Sequence, residues 1–145
     1  VRALIQRVRW AAVEVDGQEA GRIGPGMLVF LGVEREDDAA RADAIAARLL
    51  AYRVFADADG RMNLDVRAAG GGVLLVSQFT LAADTTRGLR PGFSTAAAPE
   101  VANALYERVL GVLRESHAPV ASGIFGASMQ VSLCNDGPVT FLLQN

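Results

Sequence analysis

The sequence predicts an α+β fold with a largely antiparallel β-sheet and two main helices. Three observations carry this. Segments near both ends alternate apolar and polar residues, two intervening stretches repeat apolar residues at helical spacing, and the connections at the start and end are of hairpin length. A doubly wound parallel sheet would instead need a helical crossover between most successive strands. With 145 residues and 51% hydrophobic content, the chain is expected to form one domain, residues 1–145, with a sizeable core.

The elements follow in order. Arg2 to Trp10 mixes apolar and charged positions, and Ala12 to Val15 alternates up to Asp16-Gly17, a hairpin-turn dipeptide. Further turns lie between Gly21 and Gly26. Met27-Leu28-Val29-Phe30-Leu31-Gly32-Val33 is a continuous apolar run of strand length, which predicts a central strand buried on both faces. Asp37 and Asp38 supply capping carboxylates for a helix running to about Ala51, with Ala44, Ile45, Arg48 and Leu49 at helical spacing. Asp57-Ala58-Asp59-Gly60 reads as a turn, because the later ligands and closing glutamate of a calcium loop are missing. Gly70-Gly71-Gly72 leads into a strand predicted over Val73 to Leu81, followed by a proline-containing loop through Phe93. Pro99 opens a second helix whose apolar stripe is Val101, Leu105, Val109, Val112 and Leu113. Met129, Val131 and Leu133 then alternate with polar neighbours, and Asn135-Asp136-Gly137-Pro138 breaks the chain before a last strand, Val139 to Leu143.

Composition removes several function classes. No run reaches the roughly 18 apolar residues of a membrane span, and Val1 to Trp10 is interrupted by arginines where a signal peptide would be apolar. One cysteine, Cys134, and one histidine, His117, supply neither an intramolecular disulfide nor a His/Cys zinc site. A reducing cytoplasm, no metal and no cofactor are therefore expected. The net charge of −2 announces no nucleic acid, so an RNA partner must be met locally. The candidate patch is Arg87-Gly88-Leu89-Arg90, two arginines in a glycine- and proline-containing loop that otherwise reads as solvated surface.

Familiar catalytic constellations are absent. A Ser or Thr nucleophile needs a positioned base, and His117, just past the second helix, reads more simply as a helix-end residue favoured by the helix dipole. Neither Gly24-Pro25-Gly26 nor Gly70-Gly71-Gly72 has the spacing of a phosphate-binding loop or a dinucleotide fingerprint. Gly137-Pro138 is unusual in lying between two strands. Proline cannot donate to a ladder, and the bond before it is the one peptide for which cis costs only about 0.5–1 kcal/mol. Rigid backbone carbonyls there offer a ligand site; the plainer reading is a turn.

Ser77-Gln78-Phe79-Thr80-Leu81 and Asn135-Asp136-Gly137-Pro138-Val139-Thr140 together resemble the two signature motifs of the D-aminoacyl-tRNA deacylases. The resemblance spans essentially the whole chain, including Arg2 to Gly17, Gly60 to Asn63, Arg87 to Pro91 and Gly123 to Met129. It implies a barrel-like core and hydrolysis of the ester joining a D-amino acid, or glycine (including glycine mischarged on tRNA(Ala)), to the 3′ end of tRNA. It further implies a homodimer without metal, with active sites at the subunit interface. Ser77, Gln78, Phe79 and Thr80 would form the catalytic wall, and Gly137 and Pro138 of the partner subunit, joined by a cis bond, the wall that reads chirality. Arg87 and Arg90 would contact tRNA. The family commonly has lysine at the position of Arg87 and a more polar residue at Leu89.

These implications have a coherent physical form. Rigid backbone acceptors that fix the substrate ammonium force the two enantiomers to aim their side chains in different directions, so clash alone rejects the L form while glycine escapes rejection. Backbone N–H groups near Phe79 and Thr80 are candidates for stabilising the ester oxyanion. Either Thr80 attacks to form an acyl-enzyme, or the ribose 2′-hydroxyl helps activate water and Thr80 only positions groups; the missing base favours the latter. Two rival readings stand beside this one: a non-catalytic RNA-binding or dimerisation module on the same fold, and an ordinary esterase using Thr80 with His117.

Overall fold

The computed structural model describes residues 1–145. Strand β1 (Arg2–Val15) turns at Asp16-Gly17, both at positive φ (51° and 76°), into β2 (Gln18–Ile23). This is the hairpin expected of that dipeptide, whose two residues tolerate the left-handed conformation a tight turn requires. Strand β3 (Gly26–Gly32) returns antiparallel along the first half of β1, and its run of aliphatic residues is buried almost throughout. Helix α1 (Ala39–Ala51) follows, capped by Asp38, whose carboxylate accepts from Arg41 N at 2.9 Å. Asp37 is not the cap: it is buried and accepts from the Val1 amino group at 2.7 Å and from Glu34 N at 2.7 Å.

A small hairpin, β4 (Phe55–Ala56) and β5 (Met62–Leu64), carries the predicted Asp57 to Gly60 turn. Strand β6 (Gly72–Ser77) runs parallel to β3, β7 (Val120–Ser122) runs parallel to β6, and helix α2 (Pro99–Ser116) lies between them in sequence. The last strand, β8 (Gln130–Gln144), pairs antiparallel with nearly the whole of β1. Three antiparallel pairings therefore stand beside two parallel ones that sequence alone did not reveal, in the order β2-β1-β3-β6-β7 with β8 also on β1.

That order ends on β2 and β7, and the sheet curls until those two ends meet. A Cβ added at Gly21 of β2 would lie 2.6 Å from the Ser122 carbonyl of β7, so only glycine permits this approach and the sheet is nearly a barrel. Val8, Ala11, Val13, Ile23, Leu28, Leu74 and Val76 fill its inside. The larger core lies on the opposite face of the sheet, against α1 and α2.

Four local expectations change. The buried face of α1 is Ala42, Ile45, Ala46, Leu49 and Leu50, leaving Ala44 and Arg48 exposed. On α2, Ala102, Tyr106 and Leu110 join Leu105, Val109 and Leu113 in the core, while Val101 faces outward. The strand expected to run to Leu81 stops at Ser77, and Phe79–Ala82 form a short 3-10 helix. Asn135 to Pro138 do not separate two strands but form an irregularity inside one, β8.

Candidate active site

At the end of β6 the chain leaves the sheet because the 3-10 helix has better partners than a ladder. Gln78 N donates to Leu31 O at 2.8 Å, Arg2 Nη1 donates to Leu81 O at 3.1 Å, and Leu81 N donates to Gln78 O at 3.2 Å. The helix rests on Gly32, where an added Cβ would stand 2.8 Å from Leu81 Cβ. Phe79 and Thr80 open this helix, so their N–H groups have no partner within it and can be offered to a ligand. The Gln78 side-chain amide donates to Thr80 Oγ1, leaving the threonine hydroxyl proton available.

Ser77, Gln78 and Phe79 line one side of a cavity of about 450 Å3. Pro99 and Ala102 of α2 and the segment from Phe125 to Val131 form most of the rest, so the wall is chiefly apolar. Phe125 is held from behind by Tyr106, with ring centroids 5.8 Å apart. Tyr106 in turn donates its hydroxyl to Leu75 O of β6 at 2.9 Å, tying α2 to the strand that delivers the motif. Burial, with a smaller contribution from Glu107, pushes the Tyr106 phenol up to about 12.

The second motif forms a protrusion on β8. Asn135 pairs with Val8, Thr140 pairs with Gln6, and the residues between them bulge out opposite Arg7. Asn135 closes the bulge, accepting from Val139 N at 2.9 Å and donating to Thr140 Oγ1 at 3.0 Å. Arg7 braces it, donating Nε to Asp136 O at 3.0 Å and Nη1 to Val54 O at 2.9 Å. Gly137 has φ 138°, the Gly137-Pro138 bond is cis, and both residues are exposed. Arg7 gave no sequence signal that set it apart from Arg2 and Arg9 of the same strand.

The two motifs do not meet within one chain. Arg7, opposite the bulge, pairs with Met27, whereas Ser77 pairs with Leu31, four residues farther along β3. Three strand spacings across and four residues along place the bulge on the order of 20 Å from Ser77. His117 is equally remote from Thr80. It ends α2 and donates Nε2–H to Gly71 O at 2.7 Å, just before the start of β6, whereas Thr80 lies beyond that strand's other end. Thr80 and His117 of one chain therefore cannot act as a nucleophile and its base.

Arg87 and Arg90 occupy an exposed loop pinched at its neck by the reciprocal Asp84 and Gly92 hydrogen bonds of 2.8 and 2.9 Å. Thr86, through its hydroxyl and N–H, holds the Asp84 carboxyl below its usual range. Neither arginine pairs with a carboxylate, so both cations face solvent.

Residues 4–144 match the family described as D-Tyr-tRNA(Tyr) deacylase. The chain belongs to this family. It is 59% identical over 145 residues to the D-aminoacyl-tRNA deacylase of Stutzerimonas stutzeri, covering 100% of each chain. Identity to the D-aminoacyl-tRNA deacylase of Salmonella arizonae is 59% over 142 residues, 98% of each. A solved structure named c-Myc DNA Unwinding Element Binding Protein superposes with a TM-score of 0.95 at 37% identity, over 100% of this chain and 99% of the other. Membership in the deacylase family accords with the two motifs and with the nearly closed barrel. The cavity is also lined by Phe125 and Met129, which lie in the Gly123 to Met129 stretch that carries part of the family resemblance.

Proposed function

We propose that this chain hydrolyses the ester of D-aminoacyl-tRNA as a homodimer, with Ser77, Gln78, Phe79 and Thr80 of one subunit facing Gly137 and Pro138 of the partner subunit. One observation carries the reading. Both motifs are built and offered outward, one beside an open cavity and one as a braced protrusion, yet a single chain holds them on the order of 20 Å apart. A second copy supplies the missing wall.

In this arrangement the terminal adenosine enters the mainly apolar cavity and the ester reaches the first turn of the 3-10 helix. The N–H groups of Phe79 and Thr80 receive the negative charge that develops on the ester oxygen. With no histidine near Thr80, and Gln78 unable to act as a base, the ribose 2′-hydroxyl assists water and Thr80 positions groups. The partner's Gly137 and Pro138 present backbone that fixes the ammonium and leaves no room for an L side chain. Glycine passes, so glycyl-tRNA, including glycine mischarged on tRNA(Ala), is also a substrate. Arg87 and Arg90 take the tRNA backbone.

The test is release of amino acid from D-tyrosyl-tRNA and L-tyrosyl-tRNA. D-selective release is expected. Binding of tRNA without release would instead identify a non-catalytic RNA-binding or dimerisation module. A tRNA with a 2′-deoxy terminal ribose, charged at the 3′ position, should resist hydrolysis; an unchanged rate would defeat the RNA-assisted step.

A further inference from the structure

A second hollow, of about 440 Å3, lies beside the candidate active site and is lined by Arg35, Phe93, Ala96, Ala97, Ala98 and Val101. It shares Ala97 with the first cavity. The ridge between them is an aromatic pair, Phe79 on the site side and Phe93 on the other, with ring centroids 5.2 Å apart. Both rings face solvent, at 58% and 41% exposure, and Val101 is 46% exposed. The small side chains of Ala96, Ala97 and Ala98 leave the space above this shelf unfilled.

The hollow carries charge of one sign. Arg35 is exposed, its position is set by a hydrogen bond from its own N–H to Thr95 O at 2.9 Å, and its guanidinium pairs with no carboxylate. Neighbouring Glu34 is already engaged by Arg2 at 2.9 Å. No acidic residue lines the hollow. An open hollow with an exposed aromatic ring on one side and a free guanidinium in its lining matches a nucleotide, whose base stacks on aromatic carbon and whose phosphate pairs with arginine.

We propose that this hollow seats the nucleotide immediately 5′ of the terminal adenosine, its base against Phe93 and Val101 and the linking phosphate on Arg35. The proposal rests on the deacylase reading above. Because Arg35 is the only polar side chain in the lining, the subsite takes either a purine or a pyrimidine, by stacking and charge with no side-chain readout of the base edge.

The test compares two esters of D-tyrosine with the intact protein, one on adenosine and one on the dinucleotide cytidylyl-adenosine. Stacking of one base predicts a kcat/KM about tenfold higher for the dinucleotide. R35Q and V101D, both at exposed positions, should each remove most of that gain while changing the adenosine ester less than twofold. Equal rates on the two esters, or parallel losses on both in the variants, would overturn the subsite. If the unsubstituted protein cleaves D-tyrosyl-tRNA with D-preference but gains nothing from the second nucleotide, the subsite alone fails. If it cleaves neither ester nor D-tyrosyl-tRNA, the deacylase reading fails and takes the subsite with it.

Discussion

Gly32→Ala isolates what places the candidate catalytic turn. An alanine Cβ there would lie 2.8 Å from Leu81 Cβ, 3.1 Å from Gln78 O and 3.4 Å from Ala82 N, and none of these is a free side-chain end that can swing aside. Carbon atoms rest about 3.5–4.0 Å apart, so the clash is relieved only by a displacement of about 1 Å. Gly32 is fixed in β3 by pairing with Arg2, so the 3-10 helix moves instead, stretching the bond from Gln78 N to Leu31 O and the one from Arg2 to Leu81 O. Overpacking of this kind costs about 1–3 kcal/mol, which the protein should survive. Misplacement of the reacting geometry by about 1 Å costs up to roughly 100-fold in rate. The expected variant is folded, modestly destabilised in denaturant, and strongly impaired in kcat/KM for D-tyrosyl-tRNA. Gly111→Ala is the control: it sits mid-helix in α2 with nothing near its missing Cβ, and should gain up to about 1 kcal/mol from helix propensity at unchanged activity. A Gly32→Ala protein with an unchanged rate would refute the claim that this contact sets the site.

Arg7→Ala removes the link that ties Asp136 O of the β8 bulge to Val54 O, and should cost about 1–3 kcal/mol from bonds to a charged donor while weakening discrimination between D- and L-tyrosyl-tRNA; an intact D/L ratio would separate Arg7 from the proposed chiral wall. Thr80→Ala should retain substantial deacylation, since no base is placed to make that hydroxyl a nucleophile, and single-turnover rates showing a collapse with folding intact would restore the acyl-enzyme route. Tyr106→Phe should cost about 1 kcal/mol near neutral pH, because Leu75 O keeps its bond from Gly123 N. At alkaline pH the sign reverses. The folded state holds the phenol neutral to about 12 against 10 when unfolded, so its stabilisation is complete below pH 10 and lost as pH rises through 12, by up to about 2.7 kcal/mol. The stabilities of the two proteins should converge and then cross over that window, and a constant difference between them would contradict the buried-phenol assignment.

Features decided by a few neighbouring residues were legible in the sequence. Asp16-Gly17 marks its hairpin because the turn needs two residues at positive φ, and Asp38 marks α1 because a capping carboxylate acts three residues away. The end of β6 was not legible. Gln78 to Leu81 carry no local breaker, and the chain turns there only because Leu31, Gly32 and Arg2, more than 40 positions earlier in the sequence, receive it. Helix phase failed in the same way: Ala44 and Ala42 are alike in chemistry, and only the packing of α1 on α2 and the sheet selects between them. At Gly137-Pro138 the sequence suggested interruption, yet the Arg7 brace and the Asn135 bonds let β8 resume its ladder with β1 beyond the bulge.

The candidate site combines both kinds of information. Its residue types could be named from the two motifs, because each motif joins its members over a handful of positions. What no local pattern contains is their separation. The distance follows from β1 and β3 standing between β8 and β6, and from the motifs pairing at different ends of β3. That separation turns two half-sites into an argument for a second subunit. In the proposed dimer the Arg7 brace has meaning in the same frame, since a bulge that enters another chain's site cannot borrow rigidity from the cavity it fills.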